Sequence, residues 1–215
     1  MSPRLRLVLL VSIPALACAL IGLLHPHHLT ADTAARWQLM HLVLIPVFPL
    51  IGFAPWLIAR RTSRVLGIVA AVAGYGFATF YTSLDLLAGV AAGTLQLAGV
   101  TEGKAPVYEI ARDVGLVGVV SLVLACLAAT AAVYMRRRLR ALPGGILAVA
   151  GAVLVQPGHI YPGLGTLAML LLAAGLVALA VEVAPARRAA ADAPGTTEGP
   201  ATIAGPKVKQ RSTPR

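Results

Sequence analysis

The chain has 215 residues, with 18 Lys and Arg against 8 Asp and Glu and a formal net charge of +10. Apolar residues make up 58% and charged residues 12%, about half the charge with which a soluble domain covers its surface, and the mean hydropathy is +0.83. This composition excludes a water-soluble globular domain and points to lipid as the solvent. The basic excess lies in short clusters between apolar runs, as in cytoplasmic loops. It does not form the stripe of a nucleic-acid footprint, so no nucleic-acid partner is expected.

A helix needs about 20 apolar residues to cross a hydrocarbon core of ~30 Å. The first predicted span covers 5–24, behind Arg4 and Arg6. Residues 15–18 faintly resemble a processing site, but the apolar run exceeds the ~7–15 residues of a signal peptide, and a retained helix is expected. The second span, 38–58, carries Pro46, Pro49 and Pro55, each of which removes a donor, frees a carbonyl and bends the helix. Trp37 and Trp56 stand at its two ends, where aromatic anchors meet the interfaces. The third span is 65–87, and the small apolar stretch 88–100 extends it or bends along the surface. The fourth, 114–135, runs into Arg136, Arg137, Arg138 and Arg140. The fifth and sixth, 144–157 and 163–183, form a hairpin around 156–163, where two prolines and two glycines break the helix.

The expected fold is therefore all-α, a polytopic bundle of six transmembrane helices over residues 1–183. With a cytoplasmic N-terminus, 15 of the 18 basic residues fall on the cytoplasmic side, leaving Arg36, Lys104 and Arg112 outside. This alternation follows the positive-inside tendency and puts both termini in the cytoplasm. Residues 184–215 are rich in Ala, Pro, Gly and Thr and lack an apolar pattern, so a disordered basic cytoplasmic tail is expected. The Ala- and Arg-rich composition suits a multi-pass protein of a bacterial plasma membrane. Ala70, Gly74 and Ala78, and Gly89 with Gly93, recur at four-residue spacing and read as helix-packing positions.

The polar residues gather asymmetrically. His25, His27 and His28 follow span one, His41 lies early in span two, and His159 lies in the last hairpin, all toward the outer face. Asp85 belongs to the same layer, and Tyr81, four residues earlier, shares its helix face. A carboxylate within a span costs about 2.5–3.5 kcal/mol on insertion scales and calls for partners; His41 and His159 are the nearest candidates. Imidazoles and a carboxylate are transition-metal ligands, so His25, His27, His28, His41 and His159 are the candidate metal ligands. His41, Asp85, His159 and Tyr81 form the candidate outer-face polar site. A haem with His41 and His159 as axial ligands is a narrower version of this idea.

Against this, Cys18 and Cys126 sit in apolar runs and build no disulfide or Cys/His zinc spacing. Glu109 and Asp113 read as acids in the first turn of span four. No Walker loop, GxSxG elbow or dinucleotide fingerprict is present. The favoured expectation is a helix-packing or assembly subunit with no enzymatic activity and no cofactor, whose partners are the bilayer and a membrane protein or a second copy of the chain. The alternatives are an outer-face His/Asp site for a metal, a small polar ligand or protons, and a small transporter built on the kinked second span.

Orientation is directly measurable. In a chain with Cys18 and Cys126 replaced by Ala, a cysteine at 104 should react in intact cells with an impermeant maleimide. A cysteine at 137 should react only after permeabilisation, and the opposite pattern inverts the topology.

Overall fold

The computed structural model describes residues 1–183; the predicted tail, 184–215, lies outside the described residues. Among the described residues every element is helical. In chain order these are α1 (Pro3–Gly22), α2 (Ala34–Leu44), α3 (Phe48–Ala59), α4 (Arg64–Leu84), a π-helical segment (Asp85–Ala91), α5 (Ala92–Leu97), α6 (Lys104–Arg137), a 3-10 turn (Arg138–Ala141), α7 (Leu142–Gly158) and α8 (Leu164–Val183). Local chemistry sets several boundaries. The Ser2 hydroxyl accepts the Leu5 amide at 3.2 Å, with Pro3 at the first helical position. Ser63 caps α4 through the Leu66 amide at 3.3 Å. Both serines supply the acceptor that a helix start lacks.

Five segments are long and apolar enough to cross a membrane: Pro3–Gly22, Ala34–Ala59, Arg64–Leu97, Lys104–Gly158 and Leu164–Val183. The fourth spans both predicted spans four and five. It is interrupted where Arg138 takes φ 53° and the 3-10 turn follows, and beyond it Gly145 packs directly on Thr130.

The other departures from expectation have local causes. Span two is not one helix: residues 45–47 form a turn around Pro46, and α3 restarts with Pro49 in its first turn. Span three continues past 87 to Leu97 through the π-helical segment, so 88–97 extends the helix instead of leaving it. Helix α6 starts ten residues before 114, with no acid in its first turn. Glu109 and Asp113 are exposed inside it and do not cap it.

Alanine and glycine lie between the larger core side chains such as Phe48, Phe77, Leu122 and Leu172, and let backbones approach closely. Gly74 of α4 faces the Gly52 backbone of α3 so tightly that a Cβ on either would overlap the other's carbonyl oxygen. Glycines at 144, 151 and 158 of α7 repeat every seven residues and lie against α8 in the same way; Gly151 meets Ala168 and Leu172, and Gly158 meets Gly165. Cys18 and Cys126 are fully buried inside the bundle, not facing lipid. The predicted packing role of Gly74 thus takes a specific form. Its replacement by Val should cost about 1–3 kcal/mol through overpacking, read as a lowered thermal midpoint in mild detergent.

Candidate metal centre

Helices α1, α2, α4 and α7 bring their polar ends to one end of the bundle. The rings of His25, His41 and His159 meet there: His25 stands edge-on to His41 and His159, with centroids 5.1 Å and 6.0 Å away, and His41 and His159 lie 5.9 Å apart with planes only 10° apart. One ring nitrogen from each lies within 4.8 Å of the others. His25 and His41 are buried, at 3% and 1% exposure. Phe48, Trp37 and Tyr161 wall the cluster.

Each imidazole is held by its Nδ1. His25 Nδ1 donates to the Pro26 carbonyl at 2.7 Å, and His41 Nδ1 to the Trp37 carbonyl at 2.7 Å. His159 Nδ1 pairs with the Tyr81 hydroxyl at 2.7 Å. A carbonyl can only accept, so in His25 and His41 the proton sits on Nδ1 and the lone pair of the neutral ring on Nε2. Burial supports the neutral form. It lowers the pKa of His25, outweighing the opposing Pro26 hydrogen bond. It lowers that of His159 too, with the neighbouring His41 and His25 adding to the effect. Burial, reinforced by Tyr108, likewise pushes the Tyr161 phenol up to about 12 and keeps it neutral.

The inward-facing atoms are left without hydrogen-bond partners. His25 Nε2, His159 Nε2 and both carboxylate oxygens of Asp85 are buried and unpaired. Asp85 is fully buried, and its Oδ1 stands 3.9 Å from His41 Nε2. Each buried orphan costs about 1–3 kcal/mol, and native structures carry few of them without an ion, a water or a chemical role.

Several irregularities build this arrangement. The π-helical segment widens the turn so that Asp85 and Gly89 both face inward. Such segments are frequent at functional sites. The Ala88 carbonyl in it accepts the indole N–H of Trp37 at 3.0 Å, which ties α2 to the segment beside His41. A Cβ at Gly89 would fall within the His41 imidazole, so glycine there makes the room in which that ring lies. His159 adopts φ 43° as α7 ends. This is uncommon for a residue with a side chain and swings its ring back into the cluster.

All four residues of the predicted polar site, His41, Asp85, His159 and Tyr81, meet here. Tyr81 shares a face with Asp85 but bonds His159, not the acid. Of the five candidate ligands, His25, His41 and His159 converge, while His27 and His28 are exposed and stand outside the set. Trp37 is not an interfacial anchor: it is 4% exposed and holds His41 through its carbonyl. Trp56, half-buried at the other end, lies under Arg60 at 4.4 Å. Gly89, Pro26 and Tyr161 escaped sequence reasoning, and only the four-residue spacing of Gly89 and Gly93 marked one of them. Comparison of the chain with known protein families, curated proteins and solved structures gives no match.

Gly89→Ala should displace the His41 ring and lower the thermal midpoint in detergent by the equivalent of about 1–3 kcal/mol. Gly93→Ala, whose Cβ would meet the Gln38 Cβ at 3.1 Å, should cost less.

Proposed function

We propose that the protein is a metal-binding multi-pass membrane protein that holds one divalent transition-metal ion between His25, His41 and His159. The observation that carries this reading is the convergence of three imidazoles, one ring nitrogen of each within 4.8 Å of the others, with every Nδ1 already hydrogen-bonded and a buried carboxylate beside them. In metal sites the second ring nitrogen is commonly fixed by a carbonyl or a carboxylate in this way. An ion would pair with the lone pairs and with the charge of Asp85, removing the cost of burying them.

Zinc fits this donor set best. It takes three neutral imidazoles with Zn–N of about 2.0–2.1 Å and leaves a fourth tetrahedral position. Those bonds set the nitrogens about 3.4 Å apart, so the rings, now within 4.8 Å, draw inward by about an ångström. A haem bound by His41 and His159 fits poorly, because the His25 ring packs against both of them where a macrocycle would have to lie. This reading takes precedence over an assembly subunit because it rests on a specific set of converging atoms.

The frame for the site is a bundle of six crossings with both termini cytoplasmic, in a bacterial plasma membrane. The break at Arg138 and the packing of Gly145 on Thr130 support counting α6 and α7 as two crossings. Arg61, Arg136 and Arg137 gather around Glu182 at the end remote from the histidines, with the Arg137 Nε donating to the Glu182 carbonyl at 2.8 Å. That distribution favours the histidine end as the outer one.

Elemental analysis of the full chain, purified in mild detergent without chelator, should give about one zinc per chain. His25→Ala, His41→Ala and His159→Ala should each lose it, whereas His27→Ala and His28→Ala should retain it. Tyr81→Phe, which removes the hydroxyl holding His159, should weaken zinc binding about 10–100-fold. Retention of metal by all three ligand variants, or its absence from the wild type after zinc supplementation, overturns the reading.

A further inference from the structure

A cavity of about 210 Å³ adjoins the histidine cluster, with His41 and His159 in its wall. Its apolar sides come from Trp37, Leu84, Ala88 and Ala111, drawn from α2, α4, the π-helical segment and α6. Two polar groups stand out in the lining. Gln156 lines it, and the side-chain oxygen of that residue, Oε1, is buried without a hydrogen-bond partner. Arg112 supplies a largely exposed cation whose only ion pair among the described residues is with exposed Asp113, at 3.8 Å. An exposed pair of this kind is worth little, so the guanidinium is available to an incoming group.

Asp85 is not a member of the set of mutually close ligand atoms formed by the three imidazoles, and it approaches only His41. Three protein ligands with a fourth position left to water or substrate are the hallmark of exchanging zinc sites, whereas structural zinc sites close all four positions with protein. Resting on the metal reading above, we propose that this centre exchanges ligands, and that its fourth position takes, through the cavity, a small molecule whose carbonyl or hydroxamate-like oxygen binds the ion. An N–H or O–H on the neighbouring atom of that molecule donates to Gln156 Oε1. Amides, hydroxamates and α-hydroxy acids have this pair of groups. The cavity is smaller than the ~300–1,000 Å³ of sites for drug-sized ligands, which limits the ligand to a compact head with a short apolar tail against Trp37 and Leu84. Arg112 favours molecules that carry a negative charge at the end left near the mouth.

The test uses the full chain in detergent, loaded with Co2+ in place of zinc, with acetohydroxamic acid as the probe. The visible Co2+ bands of the wild type should shift saturably with the probe. Gln156→Leu should bind one Co2+ as before but take the probe about three- to tenfold more weakly, as loss of one hydrogen bond requires. Ala88→Leu, which fills the cavity, should keep its Co2+ and lose the response. Bands that do not move in the wild type identify a closed structural site and overturn this inference while leaving the metal reading intact. Equal probe affinity in wild type and both variants also overturns it, because the ligand would then enter elsewhere. Failure to load Co2+ at all overturns the metal reading itself.

Discussion

Two hydrogen bonds from imidazole Nδ1 to main-chain carbonyls, Pro26 for His25 and Trp37 for His41, govern the chemistry of this end of the molecule. Because a carbonyl has no proton to give, they settle which nitrogen of each ring carries the hydrogen and which carries the lone pair. They also aim those lone pairs inward, where His25 Nε2 is buried without a hydrogen-bond partner and His41 Nε2 faces Asp85 at 3.9 Å. The Tyr81 hydroxyl does the same positional work for His159. A bundle of apolar helices has few other ways to hold polar atoms, so whatever satisfies the inward atoms controls the stability and the purpose of the site.

The departures from regular helix are concentrated around these contacts. The turn at 45–47 separates α2 from α3, so that the segment with Trp37 and His41 need not follow the axis of the segment packed on Gly74. The π-helical segment brings Asp85 and Gly89 onto the same inward face. The positive φ of His159 ends α7 and returns its ring to the cluster. Backbone strain of this kind costs about 1–3 kcal/mol per residue and persists where the surroundings over-determine it. Elsewhere the bundle relies on close packing of Ala and Gly, and that rigid frame is what holds three rings from separate segments in register.

Much of this was legible in the sequence. Hydropathy marked the apolar segments, the polar layer at one end and the i, i+4 relation of Tyr81 to Asp85, because each depends only on neighbours along the chain. Span ends were less legible. Helix α6 extends ten residues beyond its apolar run because Glu109, Arg112 and Asp113 remain exposed on its surface. Proline in span two marked a bend but could not show that the helical ladder would be interrupted by a turn at 45–47.

The amino-acid order alone pointed to lipid as the solvent, to helices over residues 1–183, and to histidines and one acid at one end, since these follow from transfer energies and helical periodicity; the burial of that acid came from the tertiary structure. It could not choose among His25, His27 and His28, which are chemically alike and adjacent. Only the packing of α1 against α8 and the loop before it, which sets the His25 ring against His159 and Tyr161, selected His25, and the Pro26 carbonyl on its Nδ1 turned the lone pair inward. That selection depends on contacts between segments more than a hundred residues apart, for which no local pattern in the chain carries a signal.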